Sequence, residues 1–330
     1  MKPRMDSEKK EVLERQGYRI VGEHSGVKVC HWTKTSLTKD LGCYKQTFYG
    51  IESHRCLQMT PTVDACNLTC QFCWRTQEWG SDSLIEADDP AFIVDESIRS
   101  QRLLLSGFKG NPTVPEEKFL EAWHPTNVAI SLTGEPTLYK RLGEMIDEFK
   151  RRGMSTFLVT NGTTPAALRR MAAEGRLPTQ LYVTVAAPNE EVYEKLLAAR
   201  SDHGFRKLKE TLALLPTLDT RTVIRHTLVE GWNLGWEDAY ADLDRLAMPM
   251  FIECKGYSFV GESRLRLKAD NVPSHASIRA FAERLAQSLG YRVAAEREDS
   301  RVVLLTQDGL LHPLPRGPVL TPAPDPVPYL

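Results

Sequence analysis

The stretch DACNLTCQFCWR, residues 64–75, decides how the rest of the chain is read. It sets Cys66, Cys70 and Cys73 in a C-x-x-x-C-x-x-C spacing directly after MTPTVDA (59–65), which reads as a first strand. Downstream, short apolar runs recur as strand candidates: 127–134, 155–162, 181–188, 220–231 and 248–257. Between them, apolar residues three and four apart predict helices over 91–106, 138–152, 165–173, 189–199, 204–215, 236–246 and 274–289. Pro165 and Gly175 punctuate one of these as helix ends should. Such alternation predicts an α/β fold with a parallel sheet and right-handed crossovers, a complete or partial TIM-like (β/α) barrel. Its chemistry belongs at the C-terminal strand ends, where the cysteine loop falls.

Three thiols leave one ligand short of a tetrahedral zinc site, which a histidine or Cys254 would have to complete. Three thiolates can instead hold three irons of a [4Fe–4S] cluster and leave the fourth iron open to a small molecule. The spacing, with Phe72 before the last cysteine, resembles the radical S-adenosylmethionine (SAM) signature. By that resemblance Gly134 and Glu135 of LTGEPTLY contact the methionyl ammonium of SAM, for which carbonyls and a carboxylate are apt. Thr160 and Asn161 of VTNG and Thr184 of YVTV stand where polar groups would meet its ribose or carboxylate.

A second triplet, Cys30, Cys43 and Cys56, lies upstream at equal gaps of 13. Buried packing thiols, a zinc site completed by His24, His31 or His54, and a second cluster with its own open iron are the three readings. Residues 1–60 read as an irregular N-terminal extension with one short strand pair. Residues 61–290 form the barrel, 291–312 a small C-terminal strand pair, and 313–330 a tail with seven prolines.

The remaining composition is that of a soluble globular protein. Of 330 residues, 42% are apolar and 26% charged, and the net charge of -1 excludes a strongly basic coat. No apolar run reaches signal-peptide or membrane-span length, so a cytoplasmic protein with reduced thiols and no membrane partner is expected. Seven cysteines in that setting point to metal chemistry rather than disulfides.

The stretches GYRIVGEHSGVKVCHWTK, CYKQTFYGIESHRC, CNLTCQFCWR, LTGEPTLY, FLVTNG, RTVIRHTLVEGWN, IECKGY and VGESRLRL together resemble the tRNA 4-demethylwyosine synthase family, in its shorter archaeal form, over residues 17–306. The resemblance implies a radical SAM lyase with two [4Fe–4S] clusters, one per triplet. Its substrates would be pyruvate and phenylalanine tRNA carrying N1-methylguanosine at position 37. It implies, too, an external electron donor of flavodoxin or ferredoxin type. Hydrogen would be taken from the N1-methyl group, the methyl carbon would join carbon 2 of pyruvate, and the carboxyl carbon would leave. Pyruvate would lie against the second cluster.

A ketone substrate invites a neutral lysine. Lys45, two residues from Cys43, is the first candidate, with Lys109 and Lys255 behind it. Trp74 and Arg75, and more remotely Trp79, are expected at the mouth that receives a flipped base. Arg264, Arg266 and Lys268 would share one face if SRLRLK is a strand. The Arg151-Arg152 and Arg169-Arg170 pairs read as solvated helix ends. Another radical SAM enzyme with a different target, and a zinc-stabilised RNA-binding adaptor, are the alternatives.

Overall fold

The computed structural model describes residues 5, 7–77, 80–200 and 203–315. The chain opens with helix α1 (Ser7–Arg15), a hairpin of β1 (Arg19–Val21) and β2 (Ser25–Val27), and helices α2 (His31–Lys39) and α3 (Tyr44–Tyr49). Strand β3 (Cys56–Thr60) is followed by α4 (Pro90–Leu105), α5 (Glu116–Trp123) and β4 (Asn127–Ile130). Then come α6 (Leu142–Arg151), β5 (Ser155–Thr160), α7 (Pro165–Ala173), β6 (Gln180–Thr184), α8 (Glu190–Leu197) and α9 (Gly204–Leu214). The series closes with β7 (Arg221–Leu228), α10 (Glu237–Ala247), β8 (Phe251–Gly256), α11 (His275–Leu289), β9 (Arg292–Arg297) and β10 (Val302–Thr306).

Among the described residues, ten strands form one open sheet in the order β1-β2-β3-β4-β5-β6-β7-β8-β10-β9. Strands β3 to β8 are parallel, and an antiparallel pair borders each side. The architecture is therefore a partial barrel. The small C-terminal pair joins the same sheet, since β10 hydrogen-bonds along β8.

Period-two alternation sorts each strand between two cores. Leu158, Leu181, Ile224 and Ile252 face the helical layer, against residues such as Met145, Leu212 and Phe281. Their neighbours Phe157, Tyr182, Val223 and Phe251 face the lumen and meet Tyr44, Phe48 and Tyr49 of α3. The expected irregular extension is thus corrected: α3 plugs the barrel, and β1 and β2 continue its sheet. Each fully buried aromatic of the plug contributes about 1.5–3 kcal/mol.

The first strand also differs from expectation. It runs Cys56–Thr60 rather than 59–65, because Pro61 has no N–H with which to extend the ladder. A domain boundary at 60 therefore falls at the end of a barrel strand.

Candidate active site

The loop after β3 carries Cys66, Cys70 and Cys73 across the C-terminal ends of the parallel strands. Backbone hydrogen bonds dock it on the end of α8: Thr69 N donates to Leu197 O at 3.0 Å and Gln71 N to Leu196 O at 2.8 Å. Gln77 Nε2 donates to Cys70 O at 2.6 Å. All three thiols line a cavity of about 250 Å³ shared with Phe72, Gly134, Glu135, Thr160, Asn161 and Thr184. The sequence-predicted SAM residues thus converge on one space. Gly134 has φ 71°, and an added Cβ would run into Thr62 O and Ala65 O.

Glu135 is 2% exposed, and among the described residues no cation pairs with it. Its Oε1 accepts from Thr137 N (3.1 Å), Thr137 Oγ1 (2.5 Å) and Thr160 Oγ1 (2.6 Å), and its Oε2 from Asn161 N (2.8 Å). Burial raises its pKa while these donors oppose the rise. The carboxylate therefore fixes the ends of β4 and β5 as well as lining the cavity. Asn67, which the sequence reading passed over, links the cysteine loop to that frame. Its amide bonds Thr163 Oγ1 at 2.7 Å and Asn161 Nδ2 at 2.8 Å.

The second triplet is built from three elements. Cys30 and Cys43 immediately precede α2 and α3, and Cys56 begins β3. Lys45 lies with them in the lumen, Nζ 4.4 Å from the Tyr182 ring centroid and 5.0 Å from that of Phe157. Burial and the nearby Arg225 charge lower its pKa. Behind it, the fully buried Glu253 accepts from Tyr49 Oη (2.7 Å), Tyr44 Oη (3.1 Å) and Arg225 Nε (2.9 Å). Arg225 and Glu253 also escaped the sequence reading. A charge at an inward position of an otherwise apolar strand was the signal.

Not every expected residue joins these groups. Lys255 faces the lumen, but its Nζ donates to Ser300 O at 2.7 Å; burial pulls its pKa down to about 8. Lys109 is exposed, just past α4, so it is not brought to the thiols. Residues Gly261–Leu265 form a 3-10 helix, not a strand, which parts the Arg264–Arg266–Lys268 face. Arg264 is exposed, whereas Arg266 turns back and donates to Gln71 O (3.3 Å) and Cys73 O. Trp74 is 41% exposed at the mouth, and Arg75 is buried beneath it. Arg151 pairs within its own helix with Glu148, whereas Arg152 reaches Asp95 of α4 and Arg170 donates to Lys140 O ahead of α6. Cys254 is buried on the helix-facing side of β8, away from both triplets. Trp79 and most of the proline-rich tail lie outside the described residues.

The donor chemistry fits two iron–sulfur clusters. All six thiols are free and partly accessible. The thiols of each triplet act electrostatically on one another: Cys66 and Cys73 on Cys70, Cys30 and Cys43 on Cys56. Burial pushes Cys66 up to about 12 and raises Cys30, Cys56 and Cys70, so metal loading releases protons. Among the described residues no three Cys, His, Asp or Glu side chains close on a single-ion site. Of the histidines available to zinc, His24 bonds Pro61 O at 2.6 Å and His54 bonds Glu121 at 2.7 Å.

The chain is similar to known proteins along nearly its whole length. Residues 60–243 match the radical SAM superfamily, and residues 246–307 match the family described as wyosine base formation. The S-adenosyl-L-methionine-dependent tRNA 4-demethylwyosine synthase of Pyrococcus horikoshii is 52% identical over 309 residues, 93% of this chain and 90% of that protein. A solved structure of TYW1 with a lysine-pyruvate adduct bound aligns with TM-score 0.84 at 34% identity, covering 93% of this chain and 97% of that one. An archaeal TYW1 crystal structure aligns with TM-score 0.75 at 32% identity, covering 92% and 97%.

Proposed function

We infer the chemistry from one premise: this chain belongs to the family of S-adenosyl-L-methionine-dependent tRNA 4-demethylwyosine synthases, radical SAM enzymes of wyosine base formation. The specific substrates in this reading are phenylalanine tRNA with N1-methylguanosine at position 37, and pyruvate, with an external flavodoxin- or ferredoxin-type protein as electron donor. Cys66, Cys70 and Cys73 hold one [4Fe–4S] cluster and Cys30, Cys43 and Cys56 a second. With SAM and its cluster bound, the chemistry supplied is a 5′-deoxyadenosyl radical that takes a hydrogen atom from the N1-methyl group.

The chain's own residues do the positioning. Gly134, Glu135, Thr160, Asn161 and Thr184 hold the SAM methionyl and ribose groups in the mouth cavity. Trp74 offers a ring at the entrance for a base drawn out of its stack, and exposed Arg264 meets the RNA backbone. Lys45 attacks carbon 2 of pyruvate, loses water and forms an imine, which fixes that carbon for addition of the methyl carbon. Two circumstances favour its amine form: burial destabilises the ammonium, and the Arg225 charge adds to the penalty.

The observation that carries this reading is the meeting of Lys45 with Cys30, Cys43 and Cys56 inside the barrel. The similar structure bearing a lysine-pyruvate adduct supports it.

The test is anaerobic incubation of reconstituted protein with SAM, pyruvate, reductant and methylated tRNA, followed by nucleoside mass spectrometry and borohydride trapping. Wild type should yield the tricyclic base and a trapped pyruvate adduct. Lys45→Ala should yield neither and still cleave SAM. Normal turnover by Lys45→Ala removes the lysine from the reaction. No tricyclic base from wild type, with SAM cleavage intact, assigns a different radical target.

A further inference from the structure

Arg75 is 6% exposed, and among the described residues no carboxylate pairs with it. Its Nε donates to Leu132 O at 3.0 Å. Its guanidinium carbon lies 3.1 Å from the Trp74 ring centroid and 4.8 Å from that of Tyr18. Its Nη2 is buried with no hydrogen-bond partner among the described residues, as is the hydroxyl of Tyr18 beside it. Both side chains line the mouth cavity. The Arg75 charge reaches a thiol of each triplet, Cys73 and Cys30. Lys45 acts on Cys30 and Cys56, Arg200 on Cys66 and Arg266 on Cys70.

A buried guanidinium without an anion is strongly unfavourable. Three thiolates around a [4Fe–4S] core carry net negative charge, which grows by one on reduction. The missing counter-charge of Arg75 therefore matches what loaded triplets would place near it. Net charge and hydrogen bonds to sulfur are the levers by which proteins set cluster potential.

We propose that Arg75, stacked between Tyr18 and Trp74 beside the mouth cavity, is a positioning charge felt by both metal centres, and that it eases one-electron reduction of the cluster on Cys66, Cys70 and Cys73. The cation stabilises the added electron and screens the two centres from each other. Tyr18 and Trp74 hold it in place without neutralising it. The proposal rests on the two-cluster reading above, but its readout does not need the second cluster.

The test is a potentiometric titration followed by electron paramagnetic resonance on the reconstituted full chain, without tRNA or pyruvate. Arg75→Gln removes the charge and keeps a donor; Arg75→Lys keeps the charge. Arg75→Gln should lower the reduced-to-oxidised ratio at fixed potential about tenfold, which for one electron is 59 mV, and Arg75→Lys should lower it less. Loss of iron in the Gln variant alone also supports the need for charge. A wild-type midpoint in Arg75→Gln, equal shifts in both variants, or loss of iron in both overturns the proposal. Four irons instead of about eight in wild type would sink the two-cluster reading, while the effect of Arg75 on the remaining centre would still be measured.

Discussion

The two thiol triplets occupy opposite kinds of ground. Cys66, Cys70 and Cys73 fall within one loop, hung by backbone hydrogen bonds from the end of α8 and open to a cavity. Cys30, Cys43 and Cys56 come from two helix starts and a strand, gathered beside a lumen of aromatic rings around a buried Arg225–Glu253 pair. A loop site can be specified by local spacing. A lumen site must be specified by the tertiary fold, since its members touch only when the plug is seated.

The largest expected effect separates the two directly. Changing Cys66, Cys70 and Cys73 to alanine should abolish SAM cleavage and halve bound iron. The same change at Cys30, Cys43 and Cys56 should also halve the iron, yet leave cleavage and end only formation of the tricyclic base. Equal loss of cleavage in both variants would erase the distinction.

Next comes the socket behind the second triplet. Glu253→Ala strips Arg225 of its buried partner and should lower stability by about 3–5 kcal/mol, read from the denaturant midpoint. A change under about 1 kcal/mol would mean that the lumen pair does not brace the plug.

Lys255 sharpens the same contrast through pH. Its pKa falls from the usual 10.5 to about 8. Between those values the unfolded chain binds a proton that the folded protein has released. Stability should therefore climb as pH rises from 8 toward 10.5, by at most about 1.4 kcal/mol per unit. Lys255→Met should flatten that slope in urea midpoints taken across the window. An unchanged slope would place the effect elsewhere.

The smallest effect belongs to the mouth. Asn189 caps α8, its side chain accepting from Val192 N at 2.9 Å. Asn189→Ala should cost about 1 kcal/mol. Amide exchange should quicken in 190–200 and in the cysteine loop that α8 carries, with the lumen unaffected. Faster exchange at Tyr49 or Glu253 would show that the two regions are one cooperative unit.

The same contrast explains what was legible in the sequence. The strands β4 to β8 and the helices between them announce themselves by apolar period, and the mouth triplet by spacing. The GEP and TNG segments follow because they stand at successive strand ends. The β1–β2 pair was expected, but helix α5, the plug α3 and the joining of β2 to β3 were not, since short elements gain their stability from tertiary contacts rather than pattern. Arg225 and Glu253 hide for a related reason: each breaks its strand's apolar run, and only the partner 28 residues away explains it. Arg266 misled because a basic residue looks the same in sequence whether it faces RNA or clasps a carbonyl.

The plug has a consequence for how the chain is made. Tyr44 and Glu253 are joined by a hydrogen bond across 209 residues of sequence. The N-terminal helix leaves the ribosome long before the strand that will hold it, so its rings wait without a socket until β8 and β10 emerge. Such high contact order makes for slow folding and a long exposure of sticky surface. It also sets an order of maturation: the thiols at 30, 43 and 56 meet only late in biogenesis, so under the two-cluster proposal their iron and sulfide would arrive at a nearly finished protein.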